Sequence, residues 1–434
     1  MTRHPLKNFT WWRILWVLLV GLAIVLGTLL TFGILFLKRA VVDYRSEHDF
    51  PVSDPAFFAS AHALADPVPL EGNAIQLLHN GDEIFPAMLS AIGEAKSSVN
   101  FEAFLFNSDT IGRQFRDALC ERARAGVRVR VLLDGIGSGS KFDDEDEDVF
   151  RQAGCTFAYY HPAHHWRVDK LNRRTHRRIL VIDGKIGFTG GVGFADEWAG
   201  HAQSPKHWRE VHARLEGPIV AELQAAFQQH WIRATGETLS GAAEFPPLPP
   251  AGPLKTQLIA SHSFSVSPIS LTQAVAFASA EKTIFITNAY CAPSNNQVEL
   301  LTAAAKRGVD VRLIVPGAHN DQPMTKSAGR GSYGDLLRGG VKIFEYQPTM
   351  IHSKTMVVDG RFSMFGSSNF DSRSAQINEE LDITVEDEKF GGEMDEVFLR
   401  DLAQARPYLL EDFEKRSVWE RLTEWLVAPI SPLL

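Results

Sequence analysis

Met350-Ile351-His352-Ser353-Lys354-Thr355-Met356-Val357-Val358-Asp359-Gly360 decides the reading of this chain. As a strand, its period of two sets His352 and Lys354 on one face and Ser353 and Thr355 on the other, so an imidazole and an ammonium aim at one spot. Asp359-Gly360 is a pair that tight hairpin turns favour, which predicts an antiparallel return over Arg361 to Phe365. That return carries Gly366, Ser367, Ser368 and Asn369 back toward His352. The resulting polar cluster suits an anionic phosphorus centre.

The pattern is written a second time, as Thr175-His176-Arg177-Arg178-Ile179-Leu180-Val181-Ile182-Asp183-Gly184, with Lys185 to Thr189 and Gly190-Gly191 after it. The offset between the two histidines equals that between the two Asp-Gly pairs, as a duplicated hairpin requires. Upstream, Arg124-Ala125-Gly126-Val127-Arg128-Val129-Arg130-Val131-Leu132-Leu133 matches Lys306-Arg307-Gly308-Val309-Asp310-Val311-Arg312-Leu313-Ile314-Val315, each after an amphipathic run. Helices are expected at Asp82 to Glu94 and Ile111 to Ala125, and strands at Val99 to Phe106 and Val127 to Leu133. This alternation predicts an α/β chain of two pseudo-symmetric units, each a mostly parallel sheet flanked by helices.

His352-x-Lys354-x-x-x-x-Asp359 followed by Gly366-Ser367-x-Asn369 resembles the signature of the phospholipase D superfamily. The continuation Asn369-Phe370-Asp371-Ser372-Arg373-Ser374, then Asn378-Glu379, is similar to the bacterial cardiolipin synthase branch. The resemblance runs from about Asn73 to the C-terminus. It implies a phosphatidyltransferase that makes cardiolipin from phosphatidylglycerol and releases glycerol. A phospholipase D that uses water as the acceptor, and a nucleic-acid phosphodiesterase, share the same motif residues.

Phosphodiester exchange needs a nucleophile, an acid for the departing alkoxide and positive charge around the phosphoryl oxygens. His176 and His352 supply the first two, and Arg178, Lys354, Asn369, Ser368, Gly366 and Gly190 are expected around the oxygens. The scheme needs no metal and no cofactor. A histidine nucleophile wants a carboxylate on its other ring nitrogen; the resemblance assigns Glu379 to His352 and Glu210 to His176. Asp183 and Asp359 belong to the motif but sit at the turns. Three positions depart from the family pattern: Arg178 where Lys is usual, Gly193 where Asn is frequent, and Glu210 where Asp is commoner.

Ile14 to Leu37 holds no charged residue, long enough as a helix to cross a bilayer core of roughly 30 Å. We read a single-pass anchor over 14–37, a connector over 38–70, units over 71–235 and 256–405 joined by a linker over 236–255, and an amphipathic tail over 406–434. In that tail Trp419, Leu422, Trp425 and Leu426 fall at helical spacing, which favours membrane contact over core capping. Arg3, Lys7 and Arg13 before the span are matched by Lys38, Arg39 and Arg45 after it, so charge bias gives no orientation. A bacterial inner membrane with the catalytic part on the cytoplasmic side is the expectation.

The net charge of −8 exerts no global pull on nucleic acid, and none is expected as a partner. Attraction to phosphate must therefore be local, and Lys170, Arg173, Arg174, Arg177 and Arg178 provide it beside His176. His161, His164, His165 and Trp166 are expected to line the mouth of the pocket. The acidic run Asp143 to Asp148 is expected to open a helix, where carboxylates meet the positive end of the dipole. Cys120, Cys155 and Cys291 show no disulfide or metal spacing, and Cys120 reads as a packed helix residue.

Overall fold

The computed structural model describes residues 8–37, 50–65, 67–139, 141–162, 173–263 and 265–433. The chain divides into two units, Met1–Asp43 and Tyr44–Leu434. The first is a 30-residue helix, Asn8–Leu37, within which Trp11–Thr28 has a mean hydropathy of 1.9 and no buried share. At 1.5 Å per residue its length of about 45 Å exceeds a bilayer's hydrocarbon core.

The second unit is built on one 15-stranded sheet. Its strands are β1 (Leu70–His79), β2 (Ser98–Ala103), β3 (Arg128–Asp134), β4 (Thr156–Tyr160), β5 (Ile179–Ile182), β6 (Ile186–Gly190), β7 (Val211–Glu216) and β8 (Leu254–Ala260), then β9 (Thr283–Asn288), β10 (Asp310–Pro316), β11 (Lys342–Tyr346), β12 (Lys354–Val358), β13 (Phe362–Gly366), β14 (Leu381–Glu386) and β15 (Ala405–Tyr408). Outward from the centre, β1-β7-β6-β5-β2-β3-β4 is matched by β8-β14-β13-β12-β9-β10-β11, with β15 added at the edge.

The sheet is mixed, which corrects the expectation of mostly parallel pairing. Among the described residues, parallel ladders join only β2, β3 and β4, and β9, β10 and β11. The cause lies in the two Asp-Gly hairpins. Each inserts a β5-β6 or β12-β13 pair antiparallel to its neighbours, and β7 and β14 continue that sense to the central β1-β8 pair. Only the strands linked through the helices Thr110–Arg124 and Asn295–Lys306, and those beyond them, keep the crossover geometry that parallel pairing needs.

Both hairpin turns are built as the sequence predicts. Asp183 and Gly184 take φ of 52° and 63°, Asp359 and Gly360 of 54° and 61°, the left-handed pair of a two-residue hairpin turn. Asp144 to Glu147 fill the first turn of the helix Asp144–Gln152, and Cys120 is buried in the helix Thr110–Arg124. Part of the expected connector, Pro55–Ala63, is a helix whose buried Phe57 meets Phe362 of β13 edge to face at 5.1 Å.

The core that positions the site draws on both halves. Leu132, Ile179, Val181, Ala213 and Trp231 from the first pack in one cluster with Leu258, Val357, Leu381 and Ile383 from the second. The helix Ile219–Thr235 covers this seam with Phe227 and Trp231, both fully buried.

Candidate functional site

Each histidine stands just before its hairpin, and each is tied by its backbone to the opposite half. The His176 amide donates to the Glu379 carbonyl at 2.9 Å, and the His352 amide to the Arg209 carbonyl at 2.8 Å. The bridges Thr175 with Glu379 and Arg209 with Ile351 are parallel and equivalent in the two halves. These crossings place the residue after each bridge, a buried glutamate, beside the other half's imidazole.

His352 Nδ1 donates to Glu210 Oε2 at 2.7 Å, and His176 Nδ1 to Glu380 Oε2 at 2.8 Å. The carboxylates are therefore exchanged between halves, which corrects the expected pairing of Glu210 with His176 and of Glu379 with His352. Glu379 faces away from both rings. It accepts from the Tyr160 hydroxyl at 2.9 Å and lies 2.6 Å from His230 Nε2, whose Nδ1 is 2.6 Å from Glu102. The physical reason is strand alternation: Glu379 is the bridging residue, and Glu380, one position on, points to the opposite face.

Each imidazole has a cation against its ring. Arg178 Nη2 lies 3.1 Å from His176 Nε2, and Lys354 Nζ lies 3.1 Å from His352 Nδ1 and 3.2 Å from its Nε2. Both cations also bond the carbonyl of their own histidine. Phe104 packs edge-on to His176 at 4.9 Å, while Trp198, Trp208 and Tyr290 surround His352 at 5.1, 5.3 and 5.7 Å. The Tyr290 hydroxyl is held by Asp321 at 2.9 Å.

Burial, then the neighbouring Lys354 charge, pushes His352 down to about 3 against the pull of Glu210. Burial and Arg178 bring His176 to about 4. Lys354 also acts on His176 and Arg178 on His352, so the two charges share one field. Burial alone would raise Glu210, but its bond to His352 and the charge on Lys354 outweigh that and hold it near 2. Burial lowers Lys354 itself to about 7. The resting site thus holds two neutral imidazoles, each with Nδ1–H on a carboxylate; the Nε2 lone pair of His176 meets Arg178, while Lys354 sits against the edge of the His352 ring.

The model for the cardiolipin synthase, phospholipase D-like domain matches residues 88–231 and 274–402. The chain belongs to this family. It is 34% identical over 81% of its length to a probable cardiolipin synthase of Bacillus subtilis, covering 70% of that protein. It is 33% identical over 84% of its length to cardiolipin synthase A of Pseudomonas syringae pv. syringae, covering 76% of it. Phosphatidylserine synthase of Haemophilus influenzae shares the fold, with a TM-score of 0.67 at 13% identity over 87% of this chain and all of that one.

The other motif positions of this phospholipase D-like chain fall into two groups. Ser367 and Ser374 donate to Glu380 at 2.6 and 2.7 Å, and Asn378 at 3.2 Å, so the run after the second hairpin orients a carboxylate. Ser368 lies near Lys354 and bonds Asp382, while Asn369 keeps a buried Oδ1 without a hydrogen-bond partner. Gly366 leaves room for Asp382, and Gly190, at φ 153°, for His212, since a Cβ there would approach His212 Nδ1 to 2.5 Å. These two glycines therefore make space within the sheet.

Asp183 and Asp359 lie at the turns. Asp183 accepts from the amides of Lys96, Ser97 and Ser98, and Asp359 from those of Glu281, Lys282 and Thr283. Gly193 has a physical reason to depart from Asn: a Cβ there would stand 2.7 Å from the Trp198 ring, which instead donates its indole N–H to Glu210 at 3.3 Å. Trp198 occupies the place in the first half that Ser374 holds in the second, five residues after Gly193 and Asn369 respectively.

The expected basic concentration is divided. Arg178 reaches the site, but Arg177 is fully buried and donates to the Ala226 and Ser261 carbonyls, so it clamps the seam between halves. Lys170, His164, His165 and Trp166 lie outside the described residues. A cleft of about 610 Å³, lined among others by Asn107, Lys141, His207 and Trp208, reaches the Trp208 ring that packs against His352.

Sequence reading missed Glu380, Trp198 and Tyr290, and gave the motif residues Ser367 and Ser374 no role at Glu380. The signal for Glu380 was present: Arg209-Glu210-Val211-His212-Ala213-Arg214-Leu215-Glu216 aligns with Glu379-Glu380-Leu381-Asp382-Ile383-Thr384-Val385-Glu386. That register makes Glu380, not Glu379, the partner of Glu210.

Proposed function

We propose that this protein is a membrane-bound phosphatidyltransferase that joins two phosphatidylglycerol molecules into cardiolipin through a phosphohistidine. The observation that carries the reading is the twofold arrangement of carboxylate, imidazole and cation, with carboxylates exchanged between halves. The named relatives support the lipid substrate. We read the repeated strand order as a pseudo-twofold relation between units 71–235 and 256–405, with the site on its axis. No nucleic acid enters the reaction.

One Nε2 attacks phosphorus, and the P–O bond to the glycerol headgroup breaks. Before this step the other histidine takes up a proton from solvent as the anionic diester arrives beside it; it gives that proton to the departing alkoxide, and glycerol leaves. That histidine, now neutral, takes the proton from a hydroxyl of a second phosphatidylglycerol, whose oxygen attacks phosphorus as the P–N bond breaks. Arrival of the anionic diester turns Arg178 and Lys354 from the imidazoles to the phosphoryl oxygens, freeing each Nε2. Glu210 and Glu380 stabilise positive charge as it develops on their rings. Catalysis by His176, Arg178, His352 and Lys354, with Asp183 and Asp359 shaping the hairpins, follows.

The helix Asn8–Leu37 serves as a single-pass anchor in a bacterial inner membrane, with the catalytic unit on the cytoplasmic side. The test is to incubate the purified protein with phosphatidylglycerol in micelles and identify products by mass spectrometry. Cardiolipin with equimolar glycerol is expected. Phosphatidic acid without cardiolipin defeats the transfer reading in favour of hydrolysis, and full activity of His176→Ala defeats the two-histidine scheme.

A further inference from the structure

The C-terminal helix Val418–Val427 is folded the wrong way round for a helix in water. It begins with a reciprocal cap between Ser417 and Glu420 and packs on the helix Pro323–Arg338. Its acidic groups lie on the side turned to the body: Glu420, 45% exposed, pairs with Arg330 at 3.2 Å, and Glu424 with Arg416, just ahead of the helix, at 3.1 Å, where both side chains are only 11% exposed. The opposite face carries Val418, Trp419, Leu422, Trp425 and Leu426, with Val418, Trp419 and Trp425 each more than 70% exposed.

At 100° per residue these five side chains occupy an arc about 120° wide, the width a surface helix normally turns to a core. Arg421 flanks the arc on one side and Thr423 on the other. An amphipathic helix of a water-exposed protein does the reverse, burying its apolar stripe and solvating its charges. Two exposed tryptophans on one stripe mark the composition of a bilayer interface, where the ring is amphipathic in the same sense as its surroundings.

We propose that the helix Val418–Val427 lies flat on a phospholipid bilayer, with the Val418, Trp419, Leu422, Trp425 and Leu426 face in the headgroup and acyl boundary. The inference rests on the reading that the substrate is a membrane phospholipid, which must be drawn from such a surface. The fold gives the contact a direct route to the site. The segment Ala428–Leu433, continuing the helix, packs on the short helix Ser372–Gln376, whose Ser374 holds Glu380. The same side of the second half that meets lipid thus supports the carboxylate of His176.

The test uses the full chain. All three native cysteines are buried, so a single Leu422→Cys takes an environment-sensitive fluorophore selectively. With the protein in vesicles of phosphatidylglycerol and phosphatidylethanolamine, the label is expected to shift to the blue, to be quenched by nitroxide on the acyl chains and to be shielded from iodide. The same label at Glu145→Cys should stay accessible. Iodide access equal at both positions overturns the proposal. So does energy transfer between labelled copies that persists on dilution in lipid, because the face would then be covered by a second copy of this chain.

Activity supplies an independent arm. Trp419→Glu with Trp425→Glu is expected to lower turnover of vesicle lipid at least about tenfold at low lipid concentration. Turnover of a short-chain, monomeric phosphatidylglycerol should change less than about twofold, since no bilayer is needed there. Equal losses on both substrates mean a structural role and overturn the proposal. If the unsubstituted protein turns over neither substrate, the functional reading fails, and the label experiment still decides the docking.

Discussion

Glu380→Gln and Glu379→Gln are neighbouring, nearly isosteric changes with opposite expected consequences. Glu380 is the acceptor for His176 Nδ1 at 2.8 Å, fixed by Ser367, Ser374 and Asn378. Its charge matters when His176 becomes cationic, as proton carrier or as phosphohistidine. Two unit charges with centres about 4 Å apart interact by about 4 kcal/mol at an effective dielectric of 20, and that energy in the barrier is about a thousandfold in rate. Glutamine keeps the volume and one acceptor oxygen, so the loss should fall on kcat with the protein still folded.

Glu379 holds His230, Tyr160 and Arg233 in the seam and touches neither the His176 nor the His352 ring. Glu379→Gln leaves His230 with one carboxylate, Glu102, and should cost stability of about 3 kcal/mol or more, with turnover per folded molecule within about tenfold of the parent. The assay is cardiolipin formation in phosphatidylglycerol micelles, normalised to folded protein and paired with a thermal melt. If Glu379→Gln abolishes turnover of well-folded protein while Glu380→Gln leaves it intact, the exchanged-carboxylate reasoning is wrong.

Lys354 is lowered to about 7 by burial, so the ammonium that the proposed scheme sets at the phosphoryl oxygens is lost as pH rises through 7. The value of kcat/KM should fall about tenfold per pH unit above that point, and Lys354→Arg, whose guanidinium does not titrate there, should flatten the limb. Because the unfolded lysine binds its proton up to about pH 10, the folded state binds fewer protons between 7 and 10, and the Lys354 contribution to stability rises with pH across that window. Melting temperatures of parent and Lys354→Met compared from pH 7 to 9 check the sign. Gly191→Ala would set a Cβ 2.7 Å from Glu210 Oε2, push the carboxylate from His352, and lower kcat at least about tenfold. Asp359→Ala strips the acceptor from three backbone amides and puts alanine at φ 54°; a loss of about 2 to 3 kcal/mol in denaturant unfolding is expected.

The parts of this architecture that were legible in the chain are those set by local chemistry. Asp183-Gly184 and Asp359-Gly360 dictate left-handed turns, and period two sets which side chains accompany each histidine. The parallel-sheet expectation failed because alternation of helix and strand says nothing about hairpin strands inserted between crossovers. Glu379 was chosen over Glu380 for a related reason. In a run of two glutamates a slip of one residue exchanges the two faces, and only the register of β14 against β13, Gly366 with Asp382, resolves it. Arg177 and Arg178 are likewise adjacent and alike in sequence, yet one clamps the seam and the other reaches the site. Trp198 and Tyr290 were invisible for a further reason: they come to His352 from segments 154 and 62 residues away in sequence.

The exchange of carboxylates makes the two copies dependent on each other in a way that the repeated motifs alone do not require. A half-chain would carry an imidazole and its cation but not the acceptor for Nδ1. The backbone bonds that align His176 with Glu379 and His352 with Arg209 form only when the halves meet. Within that shared frame the sites are not equal. Arg178 keeps its charge at every working pH, whereas Lys354 titrates near neutrality. His352 is walled by Trp198, Trp208 and Tyr290, and His176 by Phe104. Duplication supplies two imidazoles of one kind, and the unlike cations and aromatic walls give the pair the asymmetry that the proposed nucleophile and its partner acid need, with pH sensitivity entering through the second half.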